Sequence, residues 1–320
     1  MNPNKVVVAG AGVMGASLAQ VYAIAGYNTV VYNRGEEGLQ RGRRLIGINQ
    51  DTMVKEGLLT REDSESALSL ISFTTNKSCF QDCALVVENI VERMEAKQAF
   101  FAEISEIVLP EALLSTNTSG LHITEIATAC KRPERFMGQH WLNPPHLLPL
   151  CEIIAGEKTS RENLQRMRTL VEGLGKQPVI VKDINGFIIN RIQFAVLREA
   201  LHIVDMGAAT IEDVDTVLKA GMGLRYAALG PFGVADFGGL DTFDHINRYL
   251  NAELCDSKTG NERLRKLVEE GRLGLKTGAG FYDYSGGRAG EAIRERDRMY
   301  IELAKVLYFK DKKRGEEHAQ

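Results

Sequence analysis

Short apolar runs alternate with longer amphipathic stretches over roughly the first 180 residues. We predict a strand for each apolar run, at 6–9, 29–32, 85–88, 113–116 and 136–140. Helices are predicted between them, at 13–25, 37–56 and 93–108, the last with apolar residues at helical spacing. Alternation of strands and helices predicts a mostly parallel sheet with helices on both of its faces.

The pattern changes after residue 183, and the rest of the chain is predicted to be mainly helical. The predicted helices lie at 187–206, 211–220, 238–254 and 261–270. Thr210 is typical of a helix N-cap, with Asp213 three residues further on. We therefore predict two domains, an α/β domain at 1–183 and a mainly α-helical domain at 184–320.

The end of the chain has its own pattern. Residues 291–309 predict a charged helix, and residues 310–320 are expected to be frayed. No apolar run anywhere in the chain approaches the ~20 residues that span a bilayer. The first residues lead directly into a strand, so no signal peptide is predicted, and we expect a cytoplasmic protein without a membrane partner.

Composition narrows the possible functions. The chain has 320 residues, of which 44% are hydrophobic and 25% are charged, as in ordinary globular proteins. Its 39 Lys and Arg against 42 Asp and Glu give a net charge of −3, which argues against a broadly basic nucleic-acid binder. The five cysteines are scattered without a CxxC pair, so free thiols and no metal site are expected.

A glycine-rich turn is the strongest chemical motif. Gly10, Gly12 and Gly15 form GxGxxG directly after a predicted strand and at the start of a predicted helix. This context predicts a dinucleotide site in a Rossmann-type doubly wound sheet, with pyrophosphate at the helix N-terminus near Val13 and Met14. The alternative is a tight turn without a ligand.

The residues after the second strand bear on the choice of cofactor. An acidic residue about twenty positions past the glycines would bind the adenosine ribose and repel a 2′-phosphate. This chain has Asn33 there, followed by Arg34, which could pair with a 2′-phosphate or stack on adenine. NAD and NADP therefore both remain open.

One histidine and one glutamate suggest the reaction. His140 lies at the end of a predicted strand, where ligands bind in open α/β sheets. Glu152 lies in an apolar segment that could return as a strand beside His140, and a carboxylate there would stabilise a protonated imidazole. The pair predicts a general acid/base for alcohol–ketone interconversion. The alternative is a structural histidine.

Two polar residues are candidates to complete this site. Ser119 follows a strand end, and Asn190 lies on the apolar start of the helix predicted at 187–206. A hydroxyl and an amide can orient a substrate carbonyl without adding charge. Alternatively, Ser119 caps a helix and Asn190 holds the helix to its domain.

These motifs together resemble the 3-hydroxyacyl-CoA dehydrogenase family. The resemblance runs from about Lys5 to Tyr284 and rests on the glycine turn and the segments 86–92, 117–119, 140–152, 186–191, 230–232 with Asp236, and 274–282. It implies a Rossmann domain, a helical C-terminal domain that forms a homodimer, and NAD-dependent oxidation of an L-3-hydroxy group on a small molecule, most simply a CoA thioester.

The resemblance also assigns residue roles. It matches its catalytic pair to His140 and Glu152, and its substrate-orienting residues to Ser119 and Asn190. Cofactor contacts are implied for Glu92 and Asn117.

Some positions depart from the family pattern. Asn33 replaces the usual acidic ribose ligand, and Pro145 and Pro149 are more like relatives that oxidise free 3-hydroxy acids, such as gulonate or carnitine dehydrogenases. Lys55 is the only candidate for a CoA-contacting lysine. The tail helix lies outside the resemblance and is expected to pack on the dimer. A free-acid substrate and a non-catalytic dinucleotide-binding protein therefore stay as alternatives to the CoA thioester.

Overall fold

The computed structural model describes residues 2–308. The chain divides into two compact units, one built from residues up to Asn190 together with those from Arg298 onward, and the other from Arg191–Asp297. No helix in the described part has the length and apolar character needed to cross a membrane.

The first unit is an eight-stranded sheet covered by helices. Its strands are β1 Lys5–Ala9, β2 Asn28–Tyr32, β3 Ile71–Thr74, β4 Leu85–Glu88, β5 Leu113–Thr116, β6 Phe136–Trp141, β7 Leu150–Ala155 and β8 Gln177–Lys182. They lie in the order β3-β2-β1-β4-β5-β6-β7-β8. The strands are parallel through β6, β7 runs antiparallel to β6, and β8 is parallel to β7. This confirms the predicted doubly wound sheet.

The central strands are continuous apolar runs because both faces of the sheet are covered. β4 and β5 are buried along their whole length, and β1 is buried from Val6 to Ala9. The helices that precede or follow these strands are α1 Val13–Ile24, α2 Glu36–Lys55, α3 Arg61–Ser69, α4 Met94–Ile107, α5 Ile123–Ala127 and α6 Arg161–Gly173. The predicted strands and the predicted helices at 13–25, 37–56 and 93–108 are confirmed within a few residues.

Two strands were not predicted. β3 is a four-residue edge strand that is only partly buried, and β8 is the opposite edge strand, with Pro178 inside it and most residues exposed. Edge strands bury little, and β3 accordingly lacks a continuous apolar run. β8 has an apolar run at 179–181, but it directly follows Pro178, a residue that argues against a central strand.

The second unit is helical. Its helices are α7 Ile189–Asp205, which begins in the first unit, α8 Ile211–Val217, α9 Leu224–Gly238, α10 Leu240–Leu250 and α11 Glu262–Glu269. A π-helical stretch, Leu218–Gly223, joins α8 to α9, so the helix predicted to end at residue 220 continues. Thr210 forms the predicted capping box with Asp213.

The start of α7 differs slightly from prediction. Gly186 and Phe187 have positive φ angles of 74° and 49°, so the helix begins at Ile189 rather than at 187. A left-handed pair cannot be part of a right-handed helix.

The tail helix α12 spans Arg288–Leu307. From Arg298 onward it belongs to the first unit of its own chain, where Ile301 and Ala304 are buried. The contact of Ile301 and Ala304 is thus intramolecular, and the dimer contact expected of this helix stays a prediction. The predicted end of the helix at residue 309 and the frayed segment 310–320 lie outside the described residues.

Candidate active site

Two glycines of the glycine turn, Gly10 and Gly15, lie where a side chain would clash with the backbone. Gly10 has φ of +111°, and a Cβ there would lie 2.4 Å from the Asn89 carbonyl oxygen. A Cβ on Gly15 would lie 1.8 Å from the Gly10 carbonyl oxygen. Close packing within the chain thus explains two of the three glycines.

Gly12 is different, because nothing lies within 4 Å of its Cβ position. It is the N-cap of α1 and provides no side-chain cap for the first turn, which begins at Val13 and Met14. Open space beside uncapped N–H groups at the positive end of a helix suits a pyrophosphate. The turn therefore fits a dinucleotide.

A cleft of about 460 Å³ extends from this turn. Asn33 and Arg34 line it together with Tyr32 and Lys77. Asn33 Nδ2 donates to the Gly35 carbonyl oxygen at 2.9 Å, which leaves its Oδ1 as an acceptor for a ribose hydroxyl. The cleft is of a size and polarity to accept the adenosine half of a nicotinamide cofactor.

His140 and Glu152 are direct cross-strand partners on β6 and β7. Both side chains are buried, and His140 Nδ1 lies 2.7 Å from Glu152 Oε2. The Phe187 ring lies against the imidazole, with 5.4 Å between ring centroids. β6 is parallel to β1, so its carboxyl end lies at the same edge of the sheet as the glycine turn.

The carboxylate is held from its other side by the start of α7. Glu152 Oε1 accepts hydrogen bonds from the backbone N–H groups of Ile188 and Ile189 at 2.9 and 3.0 Å. Burial raises the pKa of the Glu152 carboxyl, but the hydrogen bonds from His140 and from these two N–H groups outweigh it, and the pKa lies below its ordinary value. An ionised Glu152 accepts a hydrogen bond from Nδ1–H, and in that tautomer of the neutral imidazole Nε2 carries no proton.

Ser119 and Asn190 also lie together in the first unit. Asn190 Nδ2 donates to the Ser119 carbonyl oxygen at 2.8 Å. The Ser119 N–H donates to Glu92 Oε1 at 3.0 Å. Ser119 lies just past the carboxyl end of β5, the strand beside β6. Two predicted substrate residues and one predicted cofactor residue are thus linked by hydrogen bonds.

Comparison with known proteins agrees with this geometry. Residues 5–184 match the NAD-binding domain of 3-hydroxyacyl-CoA dehydrogenase, and residues 186–284 match the C-terminal domain of the same family. The chain belongs to the 3-hydroxyacyl-CoA dehydrogenase family. It is therefore an oxidoreductase with an NAD-binding Rossmann fold.

Individual relatives of this dehydrogenase differ in the substrates they are named for. A probable 3-hydroxybutyryl-CoA dehydrogenase of Deinococcus radiodurans is 42% identical over 278 residues, which cover 87% of this chain and 99% of that protein. A 5-formyl-3-hydroxy-2-methylpyridine 4-carboxylate 5-dehydrogenase of Mesorhizobium japonicum is 29% identical over 304 residues, 94% of this chain and 97% of that protein.

A solved structure of a dehydrogenase of that second kind, described as an NAD⁺-dependent dismutase, superimposes with a TM-score of 0.88. Its sequence is 29% identical, and the match covers 95% of this chain and 98% of that one.

A buried charge network in this dehydrogenase was missed by sequence reasoning. Lys97 Nζ donates to both carboxylate oxygens of Glu88 at 2.7 and 2.9 Å, and to the Asn117 carbonyl oxygen at 3.2 Å. It also lies 3.4 Å from Glu92 Oε2. Thr116 Oγ1 donates to Glu88 at 2.5 Å. Lys97 is on the buried face of α4. In the sequence, a lysine among the apolar residues of one helix face was the signal that could have indicated this buried network.

This network fixes the strand ends on which the predicted site is built. Burial raises the pKa of the Glu88 carboxyl, and the contact with Lys97 opposes that effect only in part. Asn117, which follows β5, is also joined to the end of the neighbouring strand β4, because its Nδ2 donates to Asn89 Oδ1 at 3.0 Å. A fully paired buried network stiffens the edge where the cofactor would lie.

Lys55 is separate from these groups. It is the exposed last residue of α2, and within residues 2–308 it forms no hydrogen bond with the other predicted site residues. Its assignment to CoA stays a prediction. Across the same residues, no cluster of three or more His, Cys, Asp or Glu side chains is arranged to hold a metal ion.

Proposed function

We propose that this dehydrogenase interconverts an L-3-hydroxyacyl-CoA and the corresponding 3-ketoacyl-CoA with a nicotinamide cofactor. The observation that carries the proposal is the buried contact of 2.7 Å between His140 and Glu152 at the carboxyl edge of the sheet. A carboxylate on one imidazole nitrogen fixes the tautomer in which the other nitrogen is the acceptor, which is the form that a general base needs.

His140 acts as general base through Nε2, accepting the proton of the substrate hydroxyl in the oxidative direction. Glu152 stabilises the imidazolium that forms, and it is kept in place by the two N–H groups of α7. Ser119 and Asn190 orient the substrate oxygen. The bound cofactor supplies the hydride acceptor.

The cofactor is NAD in this proposal. Asn33 offers a neutral acceptor to the ribose, and a related structure is described as NAD⁺-dependent, while Arg34 keeps NADP as the alternative. The residues proposed to hold the cofactor are Gly10, Gly12, Val13, Met14, Gly15, Asn33, Arg34, Glu92 and Asn117.

A second candidate function is the same chemistry on a compact substrate without CoA. Two observations favour it. The match to the relative named for a pyridine carboxylate extends over 304 residues. The match to the relative named for a CoA thioester extends over 278, so the first relative aligns with more of this chain. The loop after His140 also contains Pro145 and Pro149, which suggested free-acid relatives.

Steady-state kinetics with acetoacetyl-CoA and with free acetoacetate, each with NADH and with NADPH, tests the proposal. We expect turnover of the thioester with NADH as the better cofactor. Turnover of the free acid alone would reverse the order of the two candidates. Cofactor binding without turnover of any 3-oxo substrate would support a non-catalytic dinucleotide-binding protein and contradict both.

The proposed partner of the second unit is a second copy of the chain. Phe232 and Phe237 are 87% and 83% exposed, and α10 adds the exposed apolar residues Leu240 and Tyr249. Large apolar residues left exposed on neighbouring helices are typical of a protein interface. A two-fold homodimer would let this surface cover its own copy.

A further inference from the structure

The end of the tail helix docks on the first unit through an apolar contact. Ile301 is 1% exposed and forms a small core cluster with Met53 of α2 and Leu147. Tyr300, one residue earlier on the helix, is packed at its rim. This cluster is separate from the two larger cores that lie against the sheet.

A charged contact reinforces the docking. Lys305 Nζ donates to the carbonyl oxygen of Glu56 at 2.6 Å. Glu56 is the C-cap residue of α2, so the ammonium lies at the negative end of that helix. An apolar contact and a polar contact one turn apart fix the position and the register on α2 of the part of α12 from Arg298 onward.

Leu147 belongs to the connection between β6 and β7, residues 142–149, which we call the β6–β7 loop. Lys176 holds the same loop from another side, because its Nζ donates to the carbonyl oxygens of Pro145 and Leu148 at 2.8 and 3.0 Å. Lys176 is itself buried. The loop is therefore fixed by a buried ammonium and by the tail helix.

The loop begins directly after His140 and Trp141, at the carboxyl edge where parallel strands present a ligand. It ends where β7 brings Glu152 back to His140. Any substrate whose hydroxyl reaches His140 has this loop among the nearest parts of the chain.

We propose that the end of α12 is a positioning element for the acyl substrate: it holds the β6–β7 loop, through the cluster of Ile301, Met53 and Leu147, in the shape that binds the substrate beyond its reacting carbon. The proposal rests on the proposed function of His140. It assigns to the tail an effect on substrate binding, separate from cofactor binding and from the proton transfer itself. Ile301 contributes to the cluster that contains Leu147, and Lys305 holds the same helix on α2. Both residues therefore act on the substrate through the loop.

The test compares Ile301→Asp with Leu303→Asp in the full-length protein. Leu303 lies on the same helix and is 51% exposed, so it controls for the added charge. Ile301→Asp should raise KM for the better acyl substrate about tenfold or more, with kcat and the KM for NADH changed less than about twofold. Leu303→Asp should behave as the wild type. Lys305→Met, a milder change, should shift the same KM in the same direction by less.

Amide hydrogen exchange supplies a readout that needs no turnover. In Ile301→Asp, residues 142–149 should exchange faster while the strands β1 and β4 keep their protection. If the loop exchanges faster but the acyl KM stays unchanged, or if the KM values for acyl substrate and NADH rise together, the positioning role is wrong. If the wild type turns over no 3-oxo substrate, the proposed function fails. Separately, if amide exchange of residues 142–149 is unchanged in Ile301→Asp, the tail does not hold the loop and the inference is wrong.

Discussion

The two units differ in how much of their side-chain surface they bury. In the first unit, apolar strands are buried on both faces, and the polar groups taken inside are paired: His140 with Glu152, and Lys97 with Glu88. In the second unit, α8, α10 and α11 contribute no buried residue, and α9 contributes only Val234. The first unit completes its own core, whereas the second leaves its apolar surface open.

This difference separates two tasks of the chain. Burial of a charged pair has a high desolvation cost, so such a pair persists only in a rigid unit whose hydrogen bonds are complete. Exposed phenylalanines lose stabilisation until another surface covers them. We therefore assign the chemistry to the first unit and association to the second, and substitutions in each unit test that division.

The largest effect is expected for Glu152→Gln. The amide keeps the shape of the side chain but cannot stabilise an imidazolium, so turnover should fall at least ~10²-fold, the lower range of general acid–base effects. Cofactor affinity should stay within about twofold, because the glycine turn is untouched. Steady-state kinetics and NADH fluorescence titration measure the two quantities. Equal losses in both would make Glu152 a structural residue.

The next effect concerns the second unit. Phe237→Asp places a charge on the exposed surface and should weaken self-association about 10²-fold or more, in the range of interface hot spots. Sedimentation velocity over a dilution series measures it. Ile48→Asp is the control, because Ile48 is a 63% exposed apolar residue of the first unit. If the wild type sediments as a monomer, or if the two variants self-associate equally well, the second unit does not have the proposed role in association.

Much of the first unit was predictable because its signals are local. Continuous apolar runs marked the central strands, and twelve residues of spacing let β7 return Glu152 to His140. The support of Glu152 by the N–H groups of Ile188 and Ile189 was not predictable, since it depends on where α7 begins in space. Lys97 was missed because a lysine on an amphipathic helix is usually solvated, although its position on the apolar face of α4 marked it as an exception.

A smaller effect is expected for Asn33→Asp. A carboxylate at the ribose would repel a 2′-phosphate, so the ratio of kcat/KM for NADH over NADPH should rise by about tenfold, roughly the effect of one nearby charge pair. Kinetics with both cofactors measure this ratio. An unchanged ratio would mean that position 33 does not contact the ribose.

The smallest effect is a pH dependence of stability. Since the pKa of Glu152 is lower in the folded protein than its ordinary value of 4.5, its stabilising contribution is complete above about 4.5 and is lost as pH falls through the folded value. The wild type should therefore be more stable than Glu152→Gln near neutral pH, and the gap should shrink in acid. Urea unfolding at several pH values measures this gap, and a gap independent of pH would contradict an ionised Glu152.

A double-mutant cycle of kcat with His140→Gln, Glu152→Gln and the double variant tests the His140–Glu152 pair most directly. If Glu152 works only through the imidazole, the double variant should be no slower than His140→Gln alone, because the second substitution has nothing left to remove. Losses that multiply, with the double variant slower than His140→Gln by the full factor of Glu152→Gln, would show that the two residues act independently and would contradict the proposed pair.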